Sequence, residues 1–120
     1  MNDERSCRLR VHGDDLDLAG TPAALRALAA ALRAAPATHE VQILNGTVVQ
    51  HHTEGPLAVE LRGSPSLYLQ GTPTALAEVW STLETVATAT DADTEPDPHR
   101  HVGRLVVTGE RNASLSDLGL

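Results

Sequence analysis

The side chains of this sequence that are best suited to chemistry are its six histidines. His99 and His101 are two positions apart, so in a β-strand both would lie on one face, where they can hold zinc or nickel if a third ligand is supplied. His51, or its neighbour His52, is a candidate for that third ligand. Alternatively, the HxH pair at 99 and 101 and the HH pair at 51 and 52 are ordinary residues of exposed loops or strand ends. No HExxH or CxxC motif accompanies them to support a metal site. We therefore expect no obligatory cofactor, with zinc or nickel at these histidines as the alternative.

A second candidate is the acidic stretch "DADTEPDP" at residues 91–98, which has four acids, two prolines and no large apolar side chain. This composition predicts an exposed loop between a helix and the last strands. Its acids either form a solvated linker or bind a protein partner. The candidate partner-binding residues are Asp91, Asp93, Glu95 and Asp97.

Catalytic motifs are not recognisable in the sequence. Ser64 and Ser66 lie in "GSPS", which is not a GxSxG elbow, and no Ser, His and acid frame is evident from spacing. Cys7 is the one cysteine, so it can form no disulfide within the chain, and we expect a small apolar residue in an edge strand. We do not expect an enzyme.

The elements that must position these residues are repeated along the chain. "DLDLAGTPAALRALAAAL" at residues 15–32 returns as "SLYLQGTPTALAEVWSTL" at residues 66–83, an offset of 51 residues. In each copy an alternating strand precedes Gly-Thr-Pro. The threonine can cap a helix whose first residue is proline, which favours ordinary capping over a phosphate site. An apolar stripe follows at helical spacing.

The first helix should end near Ala35, because Pro36 disfavours helical geometry in the residue before it. The second helix should fray in the threonine-rich run 85–90, and Trp80 should pack in the core. Alternating and β-branched patterns predict four further strands, at residues 6–12, 41–50, 57–62 and 101–108.

Each half is thus predicted to be a ββαβ unit, at about residues 6–50 and 57–108. Neither half can bury its apolar face alone. The predicted fold is α+β, with two units forming one mainly antiparallel sheet and two helices packed on one face. We expect a single domain at 1–109 and a C-terminal tail at 110–120.

The charge of the chain limits its partners. Sixteen acids and nine arginines give a net charge of −7. Nucleic-acid binding needs a basic face, so we expect no nucleic-acid partner. The sequence has no apolar run of membrane-spanning length and no N-terminal signal pattern, which predicts no membrane association and a cytoplasmic location. An acidic surface can instead attract a basic protein.

Three stretches carry a family resemblance: "LAGTPAALRALAAALR", the acidic loop, and "DPHRHVGRLVV". Together they resemble the immunity-protein thirty-two family of polymorphic toxin systems in GC-rich bacteria, across most of residues 7–108. His99 and His101 of this sequence match an HxH motif that occurs late in the sequences of that family. The resemblance implies a cytoplasmic protein that blocks a cognate toxin by binding at or near its active site. Two alternatives remain: a regulatory module that self-associates, such as a homodimer, and a histidine-based metal protein or enzyme.

Overall fold

The computed structural model describes residues 7–12, 15–34, 38–63, 65–92 and 98–110. These residues form two helices and eight strands. The helices are α1 (Pro22–Arg33) and α2 (Pro73–Ala92). The strands are β1 (Arg8–His12), β2 (Asp15–Gly20), β3 (Thr38–Ile43), β4 (Gly46–His52), β5 (Ala58–Arg62), β6 (Ser66–Gly71), β7 (His99–Val102) and β8 (Leu105–Gly109).

The predicted α+β fold with two related halves is confirmed. In the described residues the strands divide into two four-stranded sheets rather than the single sheet that we expected: sheet A has the order β1-β2-β8-β7 and sheet B the order β3-β4-β6-β5. Each half has a second hairpin after its helix, so it is a ββαββ unit. The two hairpins of each half go to different sheets, so both sheets contain one hairpin from each half.

The centre of each sheet is a parallel pair that joins the two halves. Strand β2 pairs with β8, and β4 pairs with β6, while all hairpin pairs are antiparallel. Strands 41–50 and 101–108 were each predicted as one strand and are hairpins. Their turns lie at Leu44–Asn45 and at Gly103–Arg104, where Gly103 has a positive φ of 60°.

Both helices begin as the Gly-Thr-Pro motifs predict. Thr21 Oγ1 accepts a hydrogen bond from the Ala24 amide at 3.2 Å, and Thr72 Oγ1 accepts one from the Ala75 amide at 3.1 Å. Helix α1 ends at Arg33. The prediction that α2 frays in 85–90 is wrong: the helix continues to Ala92 because Val86, Ala87 and Thr90 are buried.

The apolar core lies between the helices and the inner faces of the two sheets. Helix α2 contacts strands of both sheets and packs along α1. Trp80 is 9% exposed and belongs to this core, as predicted. Fully buried large side chains include Leu16, Leu18, Leu25, Leu28, Leu32, Leu67, Leu69, Leu76, Leu83 and Leu105.

One buried polar side chain, Gln50 on β4, connects three elements. Its Nε2 donates to the Leu32 carbonyl at 2.9 Å, and its Oε1 accepts a hydrogen bond from Trp80 Nε1 at 2.7 Å. Leu32 lies in the last turn of α1, where carbonyls have no partner within the helix. Register and the 51-residue offset make Val107 the counterpart of Gln50, and Ala29 the counterpart of Trp80, so this network between the two halves has no equivalent across the repeat.

Gly109 ends β8 and lies against Thr90 and Val86 of α2. A methyl group there would overlap Thr90 Oγ1 and lie 3.0 Å from Thr90 Cβ. We expect Gly109→Ala to lower the free energy of unfolding by about 1 to 2 kcal/mol, because the threonine must rotate and break its bond to Val86. Urea unfolding measures the change.

The matched control is Gly55→Ala, where the added methyl group meets no atom within 4 Å. This variant should stay within about 0.5 kcal/mol of the parent. Adding Thr90→Ala to Gly109→Ala should restore part of the loss. Equal stabilities for the Gly109 and Gly55 variants would show that the contact between strand and helix is loose.

Candidate histidine pair and partner-binding surface

The structure brings His99 and His101 together on the outer face of sheet A. Both are exposed, and their ring centres are 5.9 Å apart in an edge-to-face arrangement. Across the strand pair they are opposite Thr108 and Val106 of β8, which alternate with the buried Leu105 and Val107. The predicted common face is therefore present.

The third predicted ligand is not at this place. His51 lies on β4 in sheet B, exposed, with its Nδ1 2.7 Å from Thr38 Oγ1. Within the described parts of the chain, no group of three or more His, Cys, Asp or Glu side chains could hold a metal ion. The structure thus supplies two neighbouring imidazoles, and the metal hypothesis stays a prediction.

The acidic stretch is only partly described. Asp91 lies in the last turn of α2, exposed, with Oδ2 2.6 Å from Arg26 Nη2 of α1. Asp93, Glu95 and Asp97 lie outside the described residues. Partner binding by these four acids stays a prediction. In the structure Asp91 forms an exposed ion pair between the two helices.

A buried carboxylate on the outer face of sheet A was not predicted. Because Asp17 alternates with the leucines of β2, its side chain was expected on the solvated face. It is on that face, but it is buried, with only 7% of its surface exposed. Its two oxygens accept hydrogen bonds from Arg10 Nη2 at 2.5 Å and Thr108 Oγ1 at 2.8 Å. Arg8 and Glu110 form an ion pair on the same sheet. The sequence does contain a signal for the ion pair between Arg10 and Asp17: arginines at every second position before the turn, Arg8 and Arg10, are followed by acids at every second position after it, Asp15 and Asp17.

The outer face of sheet B has a different character. Tyr68 lies half-buried in the middle of one row across the sheet, between Val49 and Glu60, and Glu40 completes that row on β3. The Arg62 guanidinium lies 4.1 Å from the Tyr68 ring centre and donates to Glu60 Oε2 at 2.9 Å. The hydrogen bond to Glu60 raises the pKa of Arg62.

The charges of the described residues are distributed unequally between the two sheets. Residues 38–71 around sheet B carry three carboxylates, Glu40, Glu54 and Glu60, against Arg62 alone. Among the described residues of sheet A and the segments beside it, there are four arginines against three acids: Arg8, Arg10, Arg100 and Arg104 against Asp15, Asp17 and Glu110. Sheet B is thus the more acidic of the two sheets as far as the described residues go, and Arg62 contacts Glu60 and Tyr68.

Helix α2 borders an open groove of about 470 Å³ on its exposed side. The described residues that line it are Ser81, Glu84, Thr85, Thr88, Ala89 and Ala92. Glu84 is engaged by Arg33 of α1 through two bonds of 2.8 Å. The one carboxylate among these lining residues, Glu84, is thus ion-paired with an arginine.

Neither helix in the described residues is long and apolar enough to cross a membrane. Comparison of the chain with protein-family models, with curated proteins and with solved structures finds no match.

Proposed function

We propose that this chain is a small protein-binding module that inhibits a cognate toxin by direct contact, as the family resemblance implies. The observation that carries the proposal is the outer face of sheet B. This face presents an aromatic residue, Tyr68, in the middle of an exposed strand layer and carries an excess of carboxylates. Tyrosine is among the residues that contribute most to binding at protein interfaces.

The proposed occupant is a basic protein domain. Glu40 and Glu60 are on either side of Tyr68 and Val49 in the row across sheet B. Glu60 is already paired with Arg62, so a cationic surface would meet the uncompensated negative charge of this row at Glu40. Complementary charge speeds association and aligns the partners, while the aromatic centre provides affinity. The net charge of −7 for the whole chain acts in the same direction at long range.

The test is a binding measurement with the proteins encoded by the adjacent genes, one of which should contain a basic toxin domain. Titration calorimetry should give a 1:1 complex, and the complex should abolish toxicity on co-expression. Tyr68→Ala should weaken binding about 30-fold or more, because a central aromatic is lost. Circular dichroism checks that the variant is folded.

Charge is tested with a matched pair of variants. Glu40→Gln on the proposed face should slow association, whereas Glu78→Gln on the exposed side of α2 should not. Flanking genes that encode neither a toxin nor a secretion domain would remove the basis for the proposal. A toxin complex that is insensitive to both Tyr68→Ala and Glu40→Gln would assign the binding to another surface.

A further inference from the structure

We propose that His99 and His101 form half of a metal site that a second copy of this chain completes, so that one zinc or nickel ion bridges two chains. Each chain supplies two imidazoles from β7, and the four together give the tetrahedral set that zinc prefers. A two-fold axis through the ion makes the contact self-complementary, which is the commonest symmetry of homodimers. Such a dimer requires nothing of the outer face of sheet B.

The spacing of the two rings fits a shared ion. With a Zn–N bond of about 2.0 to 2.1 Å, two imidazoles on one tetrahedral zinc have ring centres roughly 5 Å apart. The centres of His99 and His101 are 5.9 Å apart, and both side chains are exposed. A small side-chain rotation therefore brings both onto one ion without movement of the backbone.

Among the described residues, the partners of the two histidines on β8 carry no charge that would repel a cation. The residues opposite the two histidines on β8 are Thr108 and Val106, neither of which is charged. Arg100 lies between the histidines in sequence, but alternation places its side chain on the other face of β7, and its Nη1 donates to the His99 carbonyl at 2.7 Å. Both imidazole rings are thus on the face without this guanidinium.

Among the described residues of one chain, the site is incomplete. His51 lies on the other sheet, and the described residues contain no group of three ligands. Of the two edges of sheet A, the β1 edge is engaged by the β3–β4 turn: Asn45 bonds both the amide and the carbonyl of Leu9, and the Leu44 amide donates to the Cys7 carbonyl. The histidines lie on β7, the strand at the other edge. A second copy can therefore approach them from that side.

The experiment uses untagged, metal-free protein and zinc chloride alone at neutral pH. Light scattering should show the mass doubling from 12.7 kDa as zinc is added, and calorimetry should give about half an ion per chain. A chelator should restore the monomer. His99→Ala and His101→Ala should each abolish the doubling with the fold intact by circular dichroism, because both side chains are exposed.

The control variant is His51→Ala, which removes an exposed histidine from the other sheet. It should form the zinc dimer as the parent does. Three results would overturn the shared site: one zinc ion per monomer, no change of mass with zinc, or loss of zinc binding in His51→Ala. Zinc-dependent dimers that persist in both His99→Ala and His101→Ala would also exclude these ligands.

Discussion

Replacing Gln50 by alanine is expected to lower the free energy of unfolding by about 3 to 5 kcal/mol, a large share of the roughly 5 to 15 kcal/mol typical of a domain. Two buried groups lose their partner at once, the Leu32 carbonyl and the Trp80 indole N–H. Each unpaired group costs about 1 to 3 kcal/mol, and the cavity adds to this. Urea or thermal unfolding measures the change.

Gln70→Ala is the control, since it removes the same side chain from a half-buried position on β6. It should cost less than about 1 kcal/mol. Trp80→Phe removes the indole N–H, so the double-mutant cycle of Gln50→Ala with Trp80→Phe should show a coupling of at least about 0.5 kcal/mol. Additive losses would mean that the 2.7 Å bond contributes nothing to stability.

The second largest effect is expected for Asp17→Ala, which should lower the free energy of unfolding by about 2 to 3 kcal/mol. The substitution leaves Arg10 and Thr108 without the buried carboxylate that both of them bond. Breaking a fully buried ion pair costs about 3 to 5 kcal/mol. The Arg10 side chain is 36% exposed, and solvent therefore offsets part of that loss.

The exposed Asp15→Ala, two residues earlier on the same strand, provides the comparison and should change stability by less than about 0.5 kcal/mol. A second variant, Asp17→Asn, retains the size and one acceptor oxygen, so it should lie between the parent and Asp17→Ala. If Asp17→Ala and Asp15→Ala are equally stable, the carboxylate at 17 is solvated and its bonds to Arg10 and Thr108 are not stabilising.

The repeat, its helix starts and the apolar faces could be predicted from sequence because all three depend on neighbouring residues. Thr21 and Thr72 cap the first turn that follows them, and spacing alone gives the stripe that each helix buries. The hairpins inside 41–50 and 101–108 were missed, although Asn45-Gly46 is a strong hairpin signal. The β-branched residues on both sides of each turn resemble one long strand.

The features of the candidate sites also fall into two groups, those that depend on neighbouring residues and those that depend on distant strands. That His99 and His101 share a face follows from a period of two residues, which is local. The burial of Asp17 depends on β1 on one side and β8 on the other, and β8 is at the far end of the chain. The position of Tyr68 in the middle of a row likewise requires the parallel pairing of β4 with β6. Long-range pairing of this kind leaves no local pattern.

The exchange of hairpins between the two sheets has a consequence for how the chain folds during synthesis. Sheet B requires residues 38–71 only, so all four of its strands can leave the ribosome together. Sheet A pairs β2 with β8, so until residues 105–109 have been made β2 has only β1 beside it. Closing such a distant pair is slow because loop entropy is lost first. The N-terminal hairpin is therefore the part of a nascent chain that most needs a chaperone, and a ribosome stalled before residue 105 would present it as an unfolded segment.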